Sequence, residues 1–162
     1  MVAAPTYDEN KIIQISPSAS HPDYASLGKY IFRNNTVINI EAEEGVKLAT
    51  QVLNGKKIGL LSIRTDWGTS TAEITKELIK KYGATLVGHE EVVEGSDDYL
   101  PNVTKLNDAG AEVVIVAGMY NTLAPFARQY KSINPNIEFV GFSNAYSNPV
   151  SYTHLTLPTK LE

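Results

Sequence analysis

Serines alternate with other residues in the stretch ISPSAS (15–20), where they occupy positions 16, 18 and 20. Their hydroxyls, together with free backbone amides where a helix begins, could hold a carboxylate group. An ordinary serine-rich loop, whose hydroxyls cap local backbone groups, explains the same spacing. From the residues alone, both interpretations of Ser16, Ser18 and Ser20 stay open.

Three other polar stretches contain side chains of kinds that contact ligands. In RTDWGTST (64–71) the single tryptophan of the chain, Trp67, stands before Gly68. An aromatic ring at the edge of a cleft can cover an apolar group or stack on a cation, although a tryptophan that caps the core is the alternative. The other two stretches, AGMYNT (117–122) and GFSNAYSN (141–148), supply Met119, Tyr120 and Ser143.

The sequence lacks the patterns of common catalytic and metal sites. It has no cysteine, no G-x-S-x-G motif, no phosphate-binding P-loop and no pair of histidines at metal-ligand spacing. His21 and His89 are far apart, and His89 falls in a predicted strand. Asp97 and Asp98 precede a predicted helix, where a capping role is favoured over acid catalysis. We therefore predict a binding protein, not an enzyme, without a cofactor or metal and without a nucleophile–base pair.

Composition and charge restrict the classes of partner. At 162 residues, 43% hydrophobic and 20% charged, the chain has the size and make-up of one globular domain. Its net charge of −4 includes no basic block, so we predict that nucleic acid is not a partner. No apolar run approaches the roughly 18–20 residues that a membrane span needs, and no signal peptide is recognisable. A small-molecule ligand is the remaining expectation.

Short runs rich in valine, isoleucine and leucine alternate along the chain with segments of helical periodicity. Such runs, without strict polar alternation, are typical of strands buried on both faces of a parallel sheet. The helix after 56–63 is predicted to have its N-cap at Thr69 or Ser70 and its C-cap at Gly83. The pattern predicts an α/β fold, a doubly wound parallel sheet with helices on both faces. The predicted strands are 11–16, 56–63, 84–90, 111–118 and 137–142.

The predicted sheet brings the candidate residues to one place. Ligands bind at the carboxyl ends of strands in open α/β sheets, where helix N-termini point outward. All four polar stretches follow predicted strands, so they should meet at this edge. We assign the α/β domain to 36–148 and interpret 1–35, a strand followed by a long polar loop, as a piece of a second lobe.

Three stretches together resemble a known family: IIQISPSASHPDYASLGKYIFR (12–33), GKKIGLLSIRTDWGTSTAEIT (55–75) and GSDDYLPNVTKLNDAGAEVVIVAG (95–118). They are similar to the branched-chain amino-acid (Leu/Ile/Val-type) substrate-binding proteins of ABC transporters, which are type I periplasmic binding proteins. The resemblance covers about 3–148 and implies two α/β lobes that close on a small ligand by a hinge motion. It also implies a fragment, consisting of the end of lobe one and most of lobe two.

The resemblance implies roles for the candidate residues. In the family, the loop corresponding to SPSAS holds the ligand carboxylate, the aromatic residue before the glycine of DWG covers the ligand, and the residues after the glycine of VAGMY line the second lobe. The implied contacts are Ser16, Ser18, Ser20, the backbone of Ala19, Trp67, Gly68, Met119 and Tyr120.

Ser143 departs from the family pattern. An acidic residue often stands there and pairs with the ammonium group of the ligand, and a buried ammonium without a counter-charge costs several kcal/mol. This weakens the case for an α-amino acid and leaves an amide, a urea-like compound, a carboxylate or an aromatic acid open. The predicted function is non-catalytic binding of a small polar ligand, an amino acid, amide or related carboxylate, for ABC-type uptake. A ligand-binding sensor domain of a receptor or regulator is the alternative.

The resemblance also sets expectations for location and partners. The parent protein is expected in the periplasm or another extracytoplasmic space, in contact with an ABC permease. In the fragment, the apolar strand 11–16 would lack its neighbours, and an unpaired edge strand invites self-pairing. We therefore expect a dimer or a larger assembly.

The last residues, 149–162, are predicted to be non-native. The stretch VSYTHLTLPT resembles one reading frame of a common sequencing adapter, and the terminal LE resembles a restriction-site scar. A genuine loop is the alternative. On the first interpretation, His154 plays no part in the chemistry of the protein.

Overall fold

The computed structural model describes residues 2–145, and contacts between residues divide the chain after Glu41 into two compact units. This division falls inside a helix, whereas the sequence analysis placed its boundary at residue 35. The predictions for 149–162 and for His154 lie outside the described residues. Within the described part of the chain, no helix is both long and apolar enough to cross a bilayer.

The first unit is small and is built around two short parallel strands. It contains, in chain order, α1 (Ala4–Glu9), β1 (Gln14–Ser16), a 3-10 helix (Pro22–Leu27) and β2 (Ile31–Arg33). The two strands are paired with Gln14 opposite Ile31 and Ser16 opposite Arg33. The buried hydrophobic cluster consists of Ala4, Tyr24 and Ile31, with Ala19 packed against it.

The strand predicted over 11–16 is shorter than expected. Lys11 has a φ of 55°, in the left-handed region. The N–H groups of Lys11 and Ile12 donate to the carbonyls of Asp8 and Tyr7, so these residues close the end of α1. The strand can therefore begin only at Gln14.

The second unit contains a four-stranded parallel sheet in the order β4-β3-β5-β6. This arrangement confirms the predicted α/β fold with a parallel sheet and helices. The elements in chain order are α2 (Ile38–Lys47, which crosses the division), β3 (Lys57–Ile63), α3 (Asp66–Lys81), β4 (Thr85–Val92), α4 (Leu100–Asp108), β5 (Val113–Ala117), α5 (Tyr120–Ile133) and β6 (Glu138–Gly141), with a π-helical turn (Leu48–Val52) after α2 and a 3-10 helix (Ser143–Ala145) after β6.

The core of this unit lies on both faces of the sheet. Successive residues of a strand point to opposite faces, so Leu60 belongs to one buried cluster with Ala72 and Ile79 of α3, while Leu61 belongs to another with Phe126 of α5. All five residues of β5 are buried. The continuous apolar character of β3 and β5 thus reflects their central position between two layers of helices.

Helix α3 begins earlier than the sequence predicts. Its N-cap is Thr65, whose Oγ1 accepts a hydrogen bond from the Gly68 N–H at 3.0 Å. The predicted N-cap at Thr69 or Ser70 is therefore wrong, because Thr65 already satisfies a donor of the first turn. At the other end the C-cap is Tyr82, one residue before the predicted Gly83, and Gly83 follows it with a φ of 73°.

Candidate ligand-binding site

The carboxyl edge of the sheet in the second unit carries five of the predicted site residues. β3 and β5 are neighbours in register, with Ser62 opposite Ala117, and helices α3 and α5 begin three residues after each strand ends. The first turns of these two helices therefore emerge side by side, and β6 is followed at the same edge by a 3-10 helix. The residues placed there are Trp67, Gly68, Met119, Tyr120 and Ser143.

Trp67 and Gly68 serve different purposes in the first turn of α3. Trp67 is half-buried and packs against both hydrophobic clusters, so part of its ring caps the core and part remains accessible. Gly68 is buried, and a Cβ there would collide with the carbonyl oxygen of Ile63. Gly68 thus permits the helix to approach the end of β3 closely and offers no side chain to a ligand.

Met119 and Tyr120 occupy the start of α5. Met119 is the N-cap residue and is half-buried against one cluster, whereas the Tyr120 side chain is 46% exposed. The Asn121 amide lies 3.4 Å from a carboxylate oxygen of Glu94, which follows β4. Sequence reasoning missed Glu94 because its contact with α5 joins residues 27 positions apart. The edge therefore contains an exposed aromatic ring and an acidic group.

In the first unit, Ser16 at the end of β1 and residues 17–21 after it form what we call the serine loop. The loop follows a strand of the separate two-stranded sheet, so the prediction that all four polar stretches follow strands of one sheet is wrong for this stretch. The Ser16 Oγ accepts hydrogen bonds from the backbone N–H groups of Ala19, at 3.0 Å, and of Ser18, at 3.5 Å. This contact is the local capping role that was the alternative for Ser16. Among the described residues, the hydroxyls of Ser18 and Ser20 have no hydrogen-bond partner. Those two hydroxyls are available to a ligand, and Ser16 shapes the loop.

One serine–histidine contact that the sequence did not predict joins two strands of the second unit. The Ser62 Oγ and the His89 Nε2 lie 2.8 Å apart on neighbouring strands. The pKa of His89 is lowered by burial and by the charge of Lys76. Ser62 is fully buried inside the unit, so a substrate cannot reach its hydroxyl. The pair joins β3 to β4 and is not a catalytic site.

Of the two aspartates before α4, Asp98 makes a capping contact of the predicted kind, whereas the N-cap residue is Tyr99 and Asp97 takes part through its backbone carbonyl. The Asp98 Oδ1 accepts a hydrogen bond from the Leu100 N–H at 3.0 Å. The Gln129 side chain donates to the Asp97 carbonyl at 2.8 Å and accepts from the Tyr99 N–H at 2.7 Å. Both contacts hold the loop that leads into α4. Across residues 2–145 no group of three or more histidine, aspartate or glutamate side chains could hold a metal ion.

Comparison with known proteins decides the family. A family model described as periplasmic binding protein matches residues 1–154. The chain belongs to the periplasmic binding protein family. Among curated members it is 31% identical over 132 residues to the Leu/Ile/Val-binding protein homolog 3 of Brucella melitensis, an alignment that covers 79% of this chain and 36% of that protein.

Solved structures of periplasmic binding proteins share the fold of this chain. A leucine-binding protein from Thermotoga maritima matches with a TM-score of 0.80 and 15% identity, over 91% of this chain and 42% of that one. A solute-binding protein of an ABC transporter from R. palustris, in complex with 4-hydroxybenzoate, matches with a TM-score of 0.80 and 17% identity, over 92% and 41%. These likenesses confirm the predicted fold, which is that of periplasmic binding proteins.

The chain spans about two fifths of the length of the curated periplasmic binding proteins that it matches. Those relatives are named as binding proteins, in agreement with the prediction of a non-enzymatic function. The resemblance read from the three sequence stretches is likewise confirmed by the family match.

Proposed function

We propose that the chain is part of a non-catalytic protein that binds a small polar ligand for uptake by an ABC-type transporter. The observation that carries this proposal is the carboxyl edge of the second unit, where the first turns of α3 and α5 present Trp67, Met119 and Tyr120 side by side. Partly exposed apolar and aromatic side chains at strand ends are typical of small-molecule sites in α/β proteins. The Ser62 hydroxyl of the serine–histidine contact is fully buried, which favours binding over catalysis.

The side chain after β6 favours a ligand that has a carboxylate but no ammonium group. Ser143 is exposed at the start of the 3-10 helix and brings no negative charge to this position. An ammonium held beside Ser143 would gain no counter-charge from that residue, and the Glu94 carboxylate at the same edge already lies 3.4 Å from the Asn121 amide. Aromatic acids such as 4-hydroxybenzoate satisfy this condition, whereas leucine carries the ammonium group.

A thermal-shift screen with calorimetry tests the proposed function. The panel contains leucine, isoleucine, 4-hydroxybenzoate and the matching amides. A ligand at about 100 times its dissociation constant stabilises by roughly 2.7 kcal/mol, which raises the melting temperature by about 5–10 °C for a chain of this size. We expect the largest shift with 4-hydroxybenzoate. A cooperative melt that no compound moves, with no heat of binding, would contradict the proposal.

The location and the transport partner follow from the same proposal. Membership in the family supports an extracytoplasmic parent protein that delivers its ligand to an ABC permease. Disruption of the parent gene should abolish uptake of the labelled ligand by whole cells. Undiminished uptake in the disrupted strain would contradict a role of this protein in transport of that ligand.

The first unit supports a proposal of self-association. Ile15 and Phe32 are opposite each other in the two-stranded sheet and are 64% and 49% exposed, and Ile13 next to them is 62% exposed. Such a sheet with an apolar face and open edges is expected to pair with a second copy of the chain. The double variant Ile15→Thr, Phe32→Ser should therefore be more monomeric than the wild type.

Light scattering at tens of micromolar distinguishes the two states. The control is Val93→Thr, which removes a residue of similar exposure (63%) from the second unit and should leave the mass unchanged. A monomeric mass for the wild type would contradict self-association.

A further inference from the structure

We propose that Arg33 determines the preference of the serine loop for carboxylate ligands, by holding the carbonyl side of the loop and placing a positive charge beside it. No role was assigned to Arg33 by the sequence analysis. This inference rests on the proposed function, since it concerns the ligand class that the same protein binds.

The carbonyl oxygens of the serine loop are bound by the segment that follows β2. Four carbonyls along the loop accept hydrogen bonds from residues 33–38, two from backbone N–H groups and two from side chains. The donors and acceptors are Asn34 N–H to Ser16 (2.9 Å), Asn35 Nδ2 to Ser18 (3.2 Å), Ile38 N–H to Ser20 (3.0 Å) and Arg33 Nη1 to His21 (2.7 Å).

This arrangement gives the loop a polarity. The carbonyls of Ser16, Ser18, Ser20 and His21 are satisfied by residues 33–38 and are withdrawn from a ligand. The hydroxyls of Ser18 and Ser20 keep their donor capacity, because they have no partner among the described residues. A loop with four of its carbonyls bound and two of its hydroxyls free is suited to an anion.

Arg33 differs from the other three donors in carrying a charge. It is half-buried at the carboxyl end of β2, directly opposite Ser16 in the sheet. Its contact with the His21 carbonyl is the shortest of the four, and it uses one of the five N–H donors of the guanidinium. Among the described residues, the Arg33 guanidinium forms no ion pair. A permanently charged group is thus held beside the loop, and no carboxylate of residues 2–145 forms an ion pair with it.

If the role of Arg33 were purely structural, only its hydrogen bond to the His21 carbonyl would matter, and its charge would not. Two control variants separate the bond from the charge. Asn35→Ala removes a carbonyl contact of the same loop without changing the charge. Lys29→Met removes an exposed positive charge of the same unit without removing a described contact with the loop.

The test measures the dissociation constants of the 162-residue chain for 4-hydroxybenzoate and 4-hydroxybenzamide, and for leucine and leucinamide, by calorimetry. Because Arg33→Gln removes the positive charge beside the loop, it should weaken carboxylate binding by about tenfold or more. It should change the affinity for the amides by no more than about threefold, so that the ratio of carboxylate affinity to amide affinity falls. Asn35→Ala should weaken both members of a pair equally, and Lys29→Met should weaken neither.

Arg33→Lys provides the second variant, and it is decisive if Arg33→Gln does not melt cooperatively. The lysine keeps the charge, so the carboxylate-to-amide ratio should be preserved even where both affinities fall. A ratio that Arg33→Gln leaves unchanged, or that Arg33→Lys abolishes, would overturn the inference while the proposed function stands. A wild-type chain that binds no carboxylate would overturn the proposed function and this inference with it.

Discussion

Tyr120 is the side chain at the carboxyl edge whose contribution to binding can be separated from its contribution to folding. Trp67 packs on both hydrophobic clusters, so its truncation would disturb the core as well as a ligand contact. Tyr120 is the first residue of α5 and is almost half exposed. At the residue scale, it therefore gives the cleanest test of the edge.

Tyr120→Ala should lower the affinity for the ligand by about tenfold, the effect of losing one aromatic contact of about 1.4 kcal/mol. The melting temperature without ligand should change by no more than about 2 °C, because exposed substitutions have small effects. Ile133→Ala, at the opposite end of α5 and equally exposed at 45%, is the matched control. Equal losses of affinity in the two variants would contradict a ligand contact at Tyr120.

We expect His89 to make the stability of the second unit depend on pH. Its pKa is lowered from 6.5 chiefly by burial and by Lys76, while the carboxylates of Glu73, Glu90 and Glu91 oppose the shift. The unfolded chain therefore binds a proton more readily than the folded chain. The stability due to neutral His89 is fully present above the unfolded pKa and is lost as the pH falls toward the lower folded pKa.

The urea concentration at the midpoint of unfolding should therefore decrease as the pH is lowered from about 7.5 to about 5.5. This interval lies above the pH range in which carboxylates become protonated. His89→Gln keeps a side chain that can bond to Ser62 but does not titrate, and it should flatten the profile in this interval. A wild-type midpoint that stays constant there would show that His89 has no such influence.

At the element scale, the start of α3 depends on close contact with the end of β3. Gly68→Ala should destabilise the second unit by about 1–3 kcal/mol, because the new methyl group must displace the backbone at Ile63. Ser70→Ala, two residues further along and exposed, should be neutral or slightly stabilising since alanine favours helices. Chemical denaturation of both variants measures the difference. Equal stability of Gly68→Ala and the wild type would show that the helix start can shift freely.

The order of these elements was predictable, and some of their ends were not. Apolar runs and helical periodicity are local signals, so β3, β5 and the parallel fold could be predicted directly from sequence. The start of α3 was missed because Thr65 caps it ahead of the apolar pattern. The contacts Ser62–His89 and Glu94–Asn121 were missed because each joins residues 27 apart, whose proximity depends on strand register and helix placement. The roles of the serine loop residues remain predictions.

On the scale of the whole molecule, the two units differ greatly in the size of their cores. The first has three residues in its buried cluster, and the second has two large clusters on the faces of its sheet. Segments of about 40 residues seldom supply enough buried apolar area to be stable alone. The described residues of the first unit should therefore open before those of the second.

Hydrogen exchange measures this difference directly. The N–H groups of Gln14 and Asn34, bonded to Tyr30 and Ser16, should exchange about tenfold faster or more than those of Leu60 and Ile115 in the central strands. Saturating ligand should slow exchange in the serine loop if that loop binds it. Equal protection in both units would show that they unfold together.

The position of the single tryptophan also determines which part of the protein its fluorescence reports on. Because Trp67 is held in the first turn of α3 against both clusters, fluorescence excited selectively from indole comes entirely from the second unit. A ligand that covers the ring changes the polarity around the indole and therefore its emission maximum. The fluorescence of the unlabelled chain can therefore report ligand binding at the carboxyl edge of the sheet.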